Sequence, residues 1–145
     1  TEASEPNPQT AYAECKVACE RDLAALTGPS FVTTCLRNAT AFGASPRMRF
    51  DIVLNNLSGL AWTTGEIKMT SDGTPWRPLV HVLDICQAVE LTLRAPAERV
   101  SGEIFNVGDD AQNYRVREIA EIVAETFPNT RISFGQPSAD NRSYR

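Results

Sequence analysis

The 145-residue sequence predicts an α/β fold with a partly parallel sheet. Three observations point there. Apolar residues recur at helical spacing in four segments, short β-branched or aromatic runs fall between them, and glycine or proline closes most of these segments.

Taken in order, a polar loop over residues 1–10 leads into a helix over 11–26, which Gly28-Pro29 ends. The run FVTTCLR at 31–37 is β-branched and apolar and predicts a buried strand, followed by a loop, NATAFGASPRMR. From Phe50, apolar residues at 50, 53, 54, 57 and 60 predict a second helix, with Asn55 and Asn56 on or beside its polar edge. GEIKMTSDGTPW holds a short strand and a turn at Asp72-Gly73, and PLVHV at 78–82 predicts another strand. Asp84, with Gln87 three residues on, predicts an N-cap for a helix that Pro96 stops. GEIFNVG at 102–108 predicts a strand. Val116, Ile119, Ala120, Val123 and Phe127 mark a fourth helix, and RISF at 131–134 a final strand. The remaining GQPSADNRSYR is polar.

Composition narrows the function classes. Hydrophobic residues make up 42% and charged ones 22%, a globular balance. The net charge of −4 and the lack of like-charge runs argue against nucleic acid or an anionic membrane as partner, while leaving room for a local basic pocket. No apolar stretch is long enough to span a bilayer, and TEASEPNPQT does not resemble a secretory signal. With four cysteines, no CxxC and one histidine, no metal site is expected. The cysteines predict buried free thiols in a reducing cytoplasm. The sequons at Asn38, Asn56 and Asn141 would matter only after secretion.

Tyr12 and Lys16 sit four residues apart, on one face of the first helix. A phenol is a poor base near neutrality unless a cation stabilises its phenolate, and a lysine one turn away supplies such a cation and three donors. The pair alone fits a solvated helix face as well as the acid–base half of a redox site.

Around the pair, PQTAYAECK, FVTTCLR, ATAFG, GTPWRPLVHVLDI and GEIFNVG follow in fixed order. This series resembles the NAD-dependent epimerase/dehydratases, extended short-chain dehydrogenase/reductases that act on nucleotide sugars, over essentially the whole chain. The resemblance implies a C-terminal part of such an enzyme: a partial Rossmann-like, doubly wound domain over 1–49 and a mainly substrate-binding α/β region over 50–145, with some segments returning to the Rossmann sheet. Tyr12 would be the general acid/base and Lys16 the holder of the nicotinamide-ribose hydroxyls, both lying against NAD, or NADP if the reaction is a net reduction. Arg77, Asn55 and Arg142 match positions that bind the substrate's diphosphate. The glycine-rich dinucleotide fingerprint and the upstream Ser or Thr of the catalytic set are not in the sequence.

Thr40 and Phe42 stand where the family often has asparagine and tyrosine, and Pro78 where an aspartate is common. Trp76, His81, Asp84 and Gly108 are expected to be structural. The resemblance further implies a cytoplasmic homodimer, pairing through helices that include the Tyr–Lys helix, where Val17, Leu23 or Leu26 would be covered. A chain without the cofactor half is expected to be inactive alone. A reductase, or a non-catalytic nucleotide-binding or pairing module, is the alternative.

Overall fold

The computed structural model describes residues 1–137, 143 and 144. In chain order the elements are α1 (Ala11–Leu26), β1 (Thr34–Asn38), β2 (Thr40–Phe42), α2 (Val53–Thr64), β3 (Glu66–Lys68), β4 (Trp76–His81), α3 (Val82–Arg94), α4 (Ala97–Val100), β5 (Glu103–Val107), β6 (Asn113–Arg115), α5 (Val116–Thr126) and β7 (Arg131–Ser133). They form two compact units, one of Thr1–Asn38 with Asp84–Val107, the other of Ala39–Leu83 with Gly108–Arg145.

In the first unit, Thr10 caps α1 by accepting the Ala13 N–H at 3.2 Å. The helix stops where Thr27 turns both its N–H and its hydroxyl onto the Leu23 carbonyl. β1 and β5 run parallel, from Thr34 opposite Glu103 to Asn38 opposite Val107. Parallel pairing needs a long crossover, and here the crossover leaves the unit and returns through α3 and α4. Only Thr33 and Val100 of this unit are buried among the described residues, and neither α1 nor α3 buries a residue.

The second unit has a true core. Leu57 and Ala61 of α2 meet Ile119, Ala120 and Val123 of α5, with Ile67, Met69 and Leu79 closing the cluster. These helix positions recur at three- and four-residue intervals, so each helix turns one apolar stripe inward. α2 ends at Gly65, whose φ of 65° is the left-handed conformation that closes a helix. The three-stranded sheet runs β2-β4-β6, parallel and then antiparallel, and β3 pairs β7 in parallel.

The α/β class and the four long helices agree with the sequence reading, and α1 has the expected bounds. Several details differ. Residues 40–42, expected as loop, form β2, because β4 offers them a parallel edge that local propensity does not reveal. α4 and β6 were not anticipated, being short elements without a periodic signal. α3 begins at Val82, so Asp84 lies in its first turn instead of capping it. The helix starts early because His81 Nδ1 accepts the Leu83 N–H at 3.2 Å. The cysteines are free but not buried: Cys15, Cys19 and Cys86 are exposed and Cys35 half-buried, because the helices carrying the first three have no covered face here. No helix among the described residues is long and apolar enough to cross a membrane.

Ile119 is 1% exposed at the centre of the core. Replacing it with alanine should cost about 2–5 kcal/mol in chemical unfolding, a truncation that leaves a cavity between α2 and α5.

Candidate functional site

Tyr12 and Lys16 open α1, and the Lys16 ammonium lies 5.5 Å from the centroid of the Tyr12 ring. Tyr12 is 73% exposed. With Cys19, Glu20 and Leu23 below them, the two residues form one wall of an open cleft of about 480 Å³, and β1 forms the other. Helical spacing puts this series on one face, so the phenol, the ammonium and the Glu20 carboxylate all turn toward β1.

Glu20 joins the helix to the strand. Arg37 of β1 donates from Nε to Glu20 Oε1 at 2.8 Å and from Nη2 to Oε2 at 2.6 Å, a two-bond fork. The third arm, Nη1, donates to the Glu2 carbonyl at 3.2 Å, and the Glu2 carboxylate accepts the Asn106 N–H of β5 at 2.9 Å. One guanidinium thus ties α1, β1 and the N-terminal segment together. Arg37's hydrogen bonds hold the Glu20 carboxyl below its ordinary range, against the opposing effect of burial. Arg37 is raised in turn, chiefly by Glu20. Burial pushes the Cys35 thiol up, and the Glu20 charge adds to that. The sequence reading gave Glu20 no role, although its place one turn beyond Lys16 puts it on the same helix face.

In the second unit, Arg77 lies on β4, donating from Nη1 to the Trp76 carbonyl at 2.7 Å. Its guanidinium is 5.4 Å from the Tyr144 ring centroid, and the Tyr144 hydroxyl is 3.1 Å from that of Thr40. Arg115 covers the Trp76 ring at 5.2 Å. Asn55 departs from its expected place on a polar edge: it is 8% exposed. Its Oδ1 accepts the Gly43 N–H at 3.3 Å, and its Nδ2 donates to the Arg49 carbonyl at 3.0 Å. The amide is buried because the loop before α2 folds back over the helix start and takes its backbone bonds from it.

That loop borders a smaller cleft of about 130 Å³, lined in part by Ser45, Arg47, Arg49 and Asn55. Gly43, at its entrance, has φ of 107°, and a Cβ there would strike the His81 ring. His81 is held edge-on to Phe42, with 5.2 Å between ring centroids, which agrees with a structural role. Arg142 lies outside the described residues. Among the described residues, no cluster of three or more His, Cys, Asp or Glu side chains is placed to hold a metal.

The sequence profile of the NAD dependent epimerase/dehydratase family matches residues 1–108. The chain belongs to that family. UDP-D-apiose/UDP-D-xylose synthase of Oryza sativa subsp. japonica is 35% identical over 74 residues, which is 51% of this chain and 18% of the rice protein. Among solved structures, the NAD dependent NDP-hexosamine 5,6-dehydratase TunA superposes with a TM-score of 0.81 at 22% identity, over 99% of this chain and 46% of TunA. MoeE5, in complex with UDP-glucuronic acid and NAD, gives 0.75 at 27% identity, over 97% of this chain and 50% of MoeE5. The chain therefore spans about half the length of these solved relatives.

The epimerase/dehydratase family is NAD-dependent by definition. The donor set in the large cleft suits the nicotinamide-ribose end of that cofactor: an ammonium for hydroxyl groups and an exposed phenol beside it. No glycine is among the described residues that line the cleft.

The Glu20–Arg37 fork should make stability depend on acid pH. A carboxylate held below its ordinary value near 4.5 stabilises the fold above that value. The contribution is lost as the pH falls through the lower, folded-state value. Glu20→Gln should therefore cost about 1 kcal/mol at pH 7 in urea unfolding. The difference from the unsubstituted chain should shrink as the pH is taken below 4.5.

Proposed function

We propose that this chain carries the acid–base and substrate-binding half of an NAD-dependent nucleotide-sugar epimerase or dehydratase. The observation that supports it most directly is the Tyr12–Lys16 pair at 5.5 Å on an open cleft, in a member of this family. MoeE5, with UDP-glucuronic acid and NAD bound, and the rice UDP-sugar synthase suggest a nucleotide sugar as substrate.

In this reading Tyr12 takes the proton from a sugar hydroxyl through its phenolate oxygen and later returns it. Its exposure leaves that oxygen open to a ligand. Lys16, over the ring, stabilises the negative charge that forms on the phenol and donates to ribose hydroxyls. The hydride acceptor for the sugar carbon would be NAD, held through its ribose hydroxyls by Lys16. The Glu20–Arg37 fork keeps both side chains turned into the cleft by fixing α1 against β1. Arg77 supplies the cation for the substrate's diphosphate, with one face of its guanidinium set by Tyr144.

The dinucleotide-binding half is supplied in this reading by further protein, as in relatives twice this length. The reading extends to a cytoplasmic homodimer, and Leu26, 63% exposed on α1, is available to a second copy.

Two assays check this. Purified alone, the 145-residue chain should show no turnover of UDP-glucose or UDP-glucuronic acid with NAD, and measurable turnover would sink the division into halves. Joined to a dinucleotide-binding half, Tyr12→Phe should lower kcat by about 100-fold or more with the sugar's KM changed only a few-fold. Unchanged kcat in that variant would remove Tyr12 from the chemistry.

A further inference from the structure

Two of the four cysteines stand in the large cleft, and the acid–base reading uses neither. Cys19 of α1 and Cys35 of β1 line opposite walls of the space of about 480 Å³ that Tyr12 and Lys16 also line. Both are free thiols, Cys19 exposed and Cys35 half-buried. Burial pushes the Cys35 thiol up and the Glu20 charge adds to this, so Cys35 keeps its proton at neutral pH. The thiolate is the reactive form, which makes Cys19 the nucleophile of the two.

Cys19 sits three residues beyond Lys16, so the two share a face of α1, roughly 4.5 Å apart along its axis. The Lys16 ammonium lies over the Tyr12 ring and makes no hydrogen bond or ion pair among the described residues. The other two charges of the cleft, Glu20 and Arg37, are engaged with each other. The cleft therefore offers a nucleophilic sulfur, an unpaired ammonium one turn away, and an open volume in the range of small-molecule sites. That combination suits a small disulfide bearing a carboxylate. The ammonium takes the carboxylate, and the S–S bond then falls at Cys19. Cys15 and Cys86 are also exposed but lie outside the cleft lining, so they offer the same thiol chemistry without the docking group.

We propose that Cys19 is a thiol-modification site within the cleft, taking carboxylate-bearing small disulfides such as glutathione disulfide, with Lys16 as the docking cation. The Cys19 thiolate attacks one sulfur of the disulfide, and a new S–S bond forms as the old one breaks. The released glutathione thiolate takes up the proton that Cys19 gave up. Cys19 is oxidised, glutathione disulfide is reduced, and a free thiol reverses the step. The added group occupies the space in front of Tyr12 and Lys16. Its effect on turnover rests on the acid–base reading, while the site itself rests on the cleft.

Incubation of the 145-residue chain with glutathione disulfide, followed by peptide mass spectrometry, tests it. The uncharged 2-hydroxyethyl disulfide is the comparison probe, and thermal unfolding shows that the Lys16→Gln variant folds. Glutathione disulfide should modify Cys19 about tenfold faster than Cys15 or Cys86, the gain expected from one charge-assisted hydrogen bond. Lys16→Gln should remove that preference, and 2-hydroxyethyl disulfide should show none. Lys16 and Lys68 are the chain's two lysines, so amine acylation reads occupancy of the cleft. The adduct should protect Lys16 several-fold and leave Lys68 unchanged. Equal rates at the three exposed cysteines, a preference shared by both disulfides, or one that survives Lys16→Gln overturns the site. So does a Cys19–Cys35 disulfide in place of the adduct, or an unprotected Lys16 in the modified chain. None of these outcomes touches the acid–base reading, which turnover of the joined enzyme decides by itself.

Discussion

The geometry of the candidate active face depends on one charged fork. α1 runs for 16 residues without burying one, so among the described residues hydrophobic packing does little to hold it. The Glu20–Arg37 fork takes over that task, assisted by the hydrogen bond between the Thr27 and Thr33 hydroxyls at the far end of the helix. An ion pair of this kind gives less free energy than a packed core but more direction. Two parallel N–H···O bonds fix orientation as well as distance. The fork sets α1 against β1, and with it the placement of Tyr12 and Lys16 on the cleft.

The second unit solves the same positioning problem by burial. Ile67, Ile119 and Ala120 are almost fully enclosed, each large apolar side chain contributing on the order of 1.5–3 kcal/mol. Against that rigid base, α2 starts at Val53, and its third residue, Asn55, can spend its amide on the loop above it. A polar group this deep is costly unless its bonds are made, so the loop and the amide need each other. The strand β4 extends the pattern: its middle packs inward through Leu79 and Val80, while its start displays Trp76 and Arg77. One unit thus orients its candidate residues with charge and the other with a core.

How much of this was legible in the sequence follows from the range of each interaction. Local signals carried well. The break at Gly28-Pro29 ends α1, and the three-and-four spacing of Val116 to Phe127 marks α5 with its buried face. Features that depend on distant partners were hidden. β2 exists because β4 lies beside it, and Asn55 is buried because a loop with no apolar pattern closes over it. The pairing of Glu20 with Arg37 spans 17 residues and joins a helix to a strand, so no periodicity announces it. At the candidate site the same rule held: Tyr12 and Lys16, neighbours on one turn, were visible together, whereas Arg47 and Arg49 read only as two arginines of a loop.

The first unit rests on a two-stranded parallel sheet with little to cover it. Parallel strands are found almost only where both faces of the sheet are covered, and an isolated pair of strands is marginal in water. β1 and β5 are such a pair, and their residues are at best half-buried. Leu26, Phe31, Leu91 and Leu93 of the first unit are each more than half exposed, while only two of its described residues, Thr33 and Val100, are buried. Covering that surface would supply the hydrophobic free energy that this unit lacks. Until it is covered, the Glu20–Arg37 fork is what holds α1, and with it Tyr12 and Lys16, against β1.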